Sequence, residues 1–473
     1  MAFFSDLQKS GRLLVVALFG FLPLAGIAQV PTCWTNVGFS LLQGQKIKLI
    51  DQPDKQANRV CFVQRRSIPI VDIRVDVAAG SAYDPKEKAG LASLTRQMMG
   101  KATTEYGEEA LLEAFADSGA QYSGVTEWER SGFIIRSLSD KKSRNQAVHL
   151  LSSTLHRPDF SEAIFEREKK RVLAALDEAE KSPAARAGRA YYQAIYPDHP
   201  YGLSATIASV SNISTKDLAK FYSSYYQKGR ATITIVGDVD IRDADSMASE
   251  LLGISSEPRK MAPIFATAKN RDRLIIAPVP QLTESKTIRI DMPTKQVHIL
   301  MGRPLMVKND IDFFPIRVGN QIFGGGGLLS RLMQEVREER GLVYDIRSEA
   351  MTGVQPGPFT ISLQVEASKA EEALTLTNNL YREFIAKGPT LDEIRRTKQF
   401  LVSLTPLQFE SNRSILSIVS TIAFYNLPKT WIINYPKNIE KVTLPQVKET
   451  FIRRLSEQPM ITVIVGQQQN GAN

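Results

Sequence analysis

A chain of 473 residues is too long for one ordinary domain, so two globular units of roughly 200 residues each are expected. Hydrophobic residues make up 43% and charged residues 23%, a balance that excludes an intrinsically disordered chain. The net charge of +9 is scattered, and no basic run interleaves with aromatics, so nucleic acid is excluded as a partner and only mild attraction to acidic partners or membrane surfaces remains.

In chain order, Lys9 and Arg12 precede an apolar run from Leu13 to Ala25 broken by Pro23, and Gly26-Ile27-Ala28 places small residues where a signal peptidase reads. The run falls short of the about 20 residues that a bilayer span needs. Residues 1–28 are therefore expected to be a signal peptide cleaved after Ala28, leaving an exported, periplasmic protein with no stable membrane span. Cys33 does not directly follow the small-residue site, which argues against a lipoprotein. Cys33 and Cys61 could form one bridge in an oxidising compartment or remain two separate thiols, and the sequence leaves both open.

Pro69–Ala78 alternates as a strand, Pro85–Met99 reads as a helix opened by Asp84-Pro85, and Gln121–Arg136 reads as strands around a turn. Helical patterns cover Lys142–Leu155 and Ser161–Lys181. Pro258, Pro263, Pro278 and Pro280 mark a linker over residues 255–284. Beyond it, Val297–Met301 predicts a strand, Phe313–Phe323 and Leu328–Glu339 helices, Leu342–Glu349 and Pro358–Glu366 strands, and Lys369–Ala386 and Leu391–Leu404 helices.

Residues 213–237 and 442–466 share one grammar without a gap, at an offset of 229. Each opens on a hydroxyl N-cap, Ser214 or Thr443, runs through a helix and ends in a β-branched strand closed by Gly237 or Gly466. This internal duplication, with strands and helices that do not alternate as βαβ units, predicts an α+β fold. The expected domains are residues 45–254 and 285–470, each a mostly antiparallel sheet flanked by helices.

Four segments occur in an order that identifies a family: Ala79-Gly80-Ser81 with Asp84 and Lys88–Ala92; Phe165–Val172; Asp198–Gly202; and Gly324–Gly327 running through Arg337 to Gly341–Tyr344. With these the chain resembles the pitrilysin, insulinase and mitochondrial processing peptidase family of zinc peptidases, from about Val60 to the C-terminus. The resemblance implies a metallohydrolase-like fold of two homologous domains. Active members hold zinc with two histidines of a His-x-x-Glu-His helix and a later glutamate, and the motif's own glutamate activates water. At the equivalent positions this chain has Ser93, Arg96 and Gln97, and Ala175 stands seven residues after Glu168, where the third ligand would be. These residue types cannot grip a divalent ion, so this chain is expected to bind no metal or cofactor. His149, His156, His199 and His298 are spread too widely to build another site.

The second half keeps more of the pattern. Gly324, Gly325, Gly326 and Gly327 lack the Gly-Lys-Ser/Thr that would make a phosphate loop. They serve either close backbone approach or, as the resemblance implies, the wall of a substrate chamber. Arg337 and Tyr344 match an arginine and a tyrosine that in active relatives reach the scissile peptide carbonyl from the second domain, the other reading being a surface arginine and a core tyrosine. Arg331 and Glu335, four apart, are read as a helix-face ion pair. The resemblance thus implies a zinc-free subunit that binds peptide and acts in trans with a zinc-bearing homologous subunit, as a heterodimer or a dimer of heterodimers. The alternative is a purely structural or peptide-binding protein with no part in catalysis.

Overall fold

A computed structural model describes residues 58–226, 231–253, 275–428 and 430–467. The expected signal peptide, Cys33 and most of the linker lie outside them. Cys61 is buried in the first strand and disulfide-bonded. No helix among the described residues is long and apolar enough to cross a membrane.

Strands β1 (Arg59–Gln64), β2 (Ile70–Val77), β3 (Gln121–Thr126), β4 (Ser131–Leu138) and β5 (Ala231–Gly237) form one sheet in the order β1-β5-β2-β4-β3. The second sheet holds β6 (Lys286–Asp291), β7 (Gln296–Val307), β8 (Val343–Ala350), β9 (Thr352–Gly353), β10 (Gly357–Glu366) and β11 (Ile461–Gly466). Its order is β6-β11-β7-β10-β8, with the short β9 beside β7. The two orders are the same arrangement drawn twice. In each, the first strand pairs parallel with the last (β1 with β5, β6 with β11), and the other main pairings are antiparallel. The repeated segment closes each sheet from a matching cap: the hydroxyls of Ser214 and Thr443 anchor capping boxes at the helices Thr215–Phe221 and Leu444–Leu455. An α+β duplication is therefore what the chain builds.

Helices α1 (Leu91–Met99), α2 (Glu108–Asp117), α3 (Lys141–His156) and α4 (Glu162–Glu180) gather around one face of the first sheet, whose core includes Val71, Ile73, Val75, Val77 and Phe133. The residues between them on β2, Asp72, Arg74 and Asp76, are also buried. Alternation of this kind usually marks a half-exposed strand. Here the polar face is covered because the helix Asn412–Phe424 crosses over from the second half, just as α5 (Pro183–Ile195) crosses to the second sheet.

Those two helices occupy equivalent places in the repeat, Pro183 matching Asn412 and Ile195 matching Phe424. On α5, Tyr191 and Ile195 pack against Val463 and Val465 of the second sheet, and the Tyr191 hydroxyl lies 2.9 Å from Thr360 Oγ1. On the other, Ile415, Leu416 and Val419 pack against Cys61, Val63 and Val236 of the first. Arg130 also reaches Thr421 at 3.4 Å and lies over the Phe424 ring. Each sheet's second face is covered by the other half of the chain, so neither half buries its core alone.

Three sequence expectations need correction. The helix placed from Pro85 starts at Leu91, because Gly90 takes the left-handed conformation (φ 103°) and breaks the chain direction. The helix placed over Leu328–Glu339 is interrupted at Ser330, which is extended, and regular helical winding gives way to a π-helical turn over Met333–Glu338. Arg331 does not pair with Glu335: its Nε and terminal nitrogen donate to Glu393 at 2.6 and 2.7 Å, and its guanidinium lies over the Phe384 ring.

Candidate functional site

The first half presents α1 against the edge strand β3 on one side and α4 on the other. Asp84 fixes the start of α1 by accepting from the amides of Gly90 and Ala92, each at 2.7 Å. Burial pushes its carboxyl up to about 7, against the downward pull of those two bonds. Ser93 is exposed on α1, and Ala175 is exposed on α4, about two turns beyond Glu168. Gln97 and Glu168 meet: Gln97 Nε2 donates to Glu168 Oε2 at 2.7 Å.

Glu168, with 1% of its side chain exposed, is held by cations as well. Lys101 lies 3.2 Å away, Arg171 3.0 Å and Arg167 3.1 Å, and Arg167 also donates to Glu108 at 2.5 Å. Although burial works to raise its proton affinity, the hydrogen bonds from Lys101, Arg167 and Gln97 hold the Glu168 carboxyl below the ordinary carboxylate range. The carboxylate left at this position is thus consumed by a structural cluster.

Arg96 points the other way, towards β3. Its side chain lies over Gly124, where an added β-carbon would collide with the guanidinium. Its Nε reaches Thr126 Oγ1 at 3.4 Å. Burial lowers its affinity for a proton, with Tyr226 and Tyr122 nearby opposing that shift. Three cations, Lys101, Arg167 and Arg171, around one engaged carboxylate, with a fourth, Arg96, turned towards β3, are the wrong donor set for a dication, so these residues do not fit zinc. Among the described residues no group of three or more His, Cys, Asp and Glu could hold a metal ion.

The histidines are accounted for locally. His156 Nε2 lies 2.9 Å from the carbonyl of Leu251, and His199 Nε2 lies 2.8 Å from that of Ala277. His149 is exposed near Glu250, and His298 sits in β7.

In the second half, the glycine-rich segment follows a helix over Phe313–Asn320 and a π-helical turn over Gln321–Gly325. Wide turns of this kind are often found at functional sites. A β-carbon on Gly324 would strike Ser348 of β8, one on Gly325 would strike Asn320, and one on Gly326 would strike the carbonyl of Gln321. Gly327 has open space around it but a φ of 58°. Three glycines therefore serve close approach and the fourth serves backbone conformation. The segment ends in two exposed leucines, Leu328 and Leu329.

Beyond the second π-helical turn, Gly341 (φ 58°) folds the chain back so that β8 lies against it. Arg337 sits on that turn with 41% of its side chain exposed, 3.8 Å from Met333 Sδ and 3.7 Å from Glu338. Tyr344 is the second residue of β8 and is 56% exposed, so it is not part of the core. Tyr344 stands on the strand that ends its sheet, and Arg337 on the turn packed against that strand. Sequence reading missed the buried Glu129 that ties the halves together by accepting from Tyr201 and from the amide of Val354 at 2.5 Å. No local pattern announces it, because both partners are distant in sequence.

Two family models match: insulinase (peptidase family M16) over residues 59–207 and peptidase M16 inactive domain over residues 212–401. The non-peptidase homolog YmxG of Helicobacter pylori is 22% identical over 402 residues, covering 84% of this chain and 89% of the relative. An uncharacterized zinc protease of Rickettsia felis is 24% identical over 72% of this chain and 78% of its own length. Among solved structures, a peptidase M16 inactive domain from Pseudomonas fluorescens superposes with a TM-score of 0.81 at 27% identity, covering 90% of this chain and 98% of that one. A protease from Helicobacter pylori shares the fold, with a TM-score of 0.77 at 16% identity over 87% of this chain and 97% of that one.

Proposed function

This chain belongs to the M16 peptidase family, within its inactive, non-peptidase kind, and on that premise we propose that it is an exported, zinc-free subunit that completes the active site of a zinc-bearing homologue. It lines a peptide chamber with the Gly324–Gly327 segment. It also presents Arg337 and Tyr344 to the peptide held at the partner's zinc. There the guanidinium and the phenol donate hydrogen bonds to the scissile carbonyl as its oxygen gains charge. Neither group is asked to move a proton from water.

The observation that carries this reading is the exposure of Arg337 and Tyr344 on adjoining elements, the turn and the edge strand it packs against. Arginines of the same half with structural duties look different: Arg331 is clamped by Glu393, and Arg453 and Arg454 are clamped by Asp312. The test is to co-purify this chain with a zinc-bearing homologue and measure peptide cleavage. Arg337→Ala should lower turnover by about 10²–10³ with assembly intact, the loss seen for one transition-state donor. Unchanged turnover would leave the purely structural reading, in which both residues are dispensable.

A further inference from the structure

Among the described residues no acid engages Arg96, unlike its neighbours Lys101, Arg167 and Arg171. Glu108 and Glu168 are held by Arg167 and Lys101, and Glu127, beyond the end of β3, is held by Arg74 and Arg130 at 3.0 and 2.8 Å. Among the described hydrogen bonds the Arg96 side chain has one, its Nε to Thr126 at 3.4 Å, which leaves its two terminal nitrogens unengaged there, with Nη1 lying over Gly124. Tyr122 and Tyr226 are its neighbours, and among the described residues no carboxylate forms an ion pair with it.

The strand beneath is equally incomplete. β3 pairs with β4 along Gln121–Thr126 and ends its sheet, so its other side offers backbone amides and carbonyls to a further strand. A peptide added there would run about 4.8 Å from β3. On the face that α1 covers, its side chains would lie beside Gly124, where no β-carbon screens the guanidinium.

We infer that Arg96 is a carboxylate receptor: this half of the chain holds an extended peptide on β3 and pairs Arg96 with one of its carboxylates, either an acidic side chain or the free C-terminus. A planar guanidinium with two free nitrogens matches the two oxygens of a carboxylate in a bidentate fork. Partial burial strengthens that pairing relative to one in open water. The inference rests on the reading of this chain as a peptide-holding subunit and adds the chemical class of peptide. The position at which active relatives carry a water-activating acid would then serve retention instead of cleavage.

The experiment measures binding of fluorescent extended peptides of Thr, Val and Ser to the full chain by anisotropy. One arm compares a central Glu with Gln; the other compares a free C-terminus with an amide. One arm should show a preference for the carboxylate of about tenfold or more, as expected for a charge-assisted pair, and that arm identifies the source. Arg96→Gln should abolish the preference. Gly124→Val, which crowds the guanidinium without removing its charge, should weaken it, and Arg96→Lys should restore only part of it. Thermal unfolding of each variant confirms that it is folded. Peptides that bind with no carboxylate preference, or a preference that survives Arg96→Gln, would overturn the receptor role alone. No binding of any peptide would overturn the peptide-holding reading together with it.

Discussion

The two halves share one strand order and one capping grammar, yet their polar residues are used in opposite ways. In the first half the position of the family's metal site is filled by a cluster in which Gln97, Lys101, Arg167 and Arg171 surround the buried Glu168. In the second half Tyr344 stands exposed on an edge strand and Arg337 on the turn packed against it. The difference teaches that a duplicated scaffold can fill one copy with ion-paired structure while the other copy leaves an arginine and a tyrosine exposed.

That comparison is easiest to break where the halves depend on each other. Tyr191 is fully buried and reaches Thr360 in the opposite sheet, so Tyr191→Ala should cost about 3–5 kcal/mol, the range for losing a large buried aromatic. Ile415→Ala, on the helix returned by the second half, should cost about 2–5 kcal/mol. Urea unfolding followed by fluorescence and by circular dichroism should give one coincident transition in each case. Two separate transitions would mean that the exchanged helices do not couple the halves.

The next effect isolates the first half. Glu168→Ala leaves Lys101, Arg167 and Arg171 facing one another, and since Arg167 and Arg171 are partly exposed the expected loss is about 2 kcal/mol, below that for a fully buried pair. The sign of the pH dependence follows from the depressed carboxyl. Its stabilisation is fully present above the ordinary value of 4.5 and is lost as pH falls through the lower folded value. Wild type should therefore lose more stability than Glu168→Gln between pH 5 and about 3, where the unfolded carboxyl takes up its proton. Equal losses would show that the cluster does not depend on the charged form.

The smallest effect sharpens the second half. Arg337→Ala and Tyr344→Phe should each change stability by less than about 0.5 kcal/mol, as exposed positions do. A larger loss in thermal unfolding would mark either residue as structural and weaken its assignment to a partner's site.

Much of this architecture was legible in the sequence because it is written in local patterns. β-branched runs closed by Gly237 and Gly466 marked the last strand of each half in chain order, and the caps at Ser214 and Thr443 marked the helices that feed them. The chemical poverty of Ser93, Arg96, Gln97 and Ala175 could also be read from residue type alone. What was not legible depends on distance along the chain. The helices Pro183–Ile195 and Asn412–Phe424 carry ordinary starts, at Ser182 and Ser411, but nothing local says that each will cross to the other sheet. The same holds for Arg331, which prefers Glu393 to Glu335 because Glu393 offers both carboxylate oxygens and Phe384, on the preceding helix, offers a ring to stack on. Tyr344 could have been core or surface by pattern. Its place at the start of an edge strand leaves it open to solvent.

The most direct test of the central claim is the metal content and peptidase activity of this chain purified alone, measured with and without a chelator. The account predicts no stoichiometric zinc and no cleavage until a zinc-bearing homologue is added, after which activity appears and is abolished by the chelator. Stoichiometric zinc in the isolated chain, with chelator-sensitive cleavage and no companion, would contradict it.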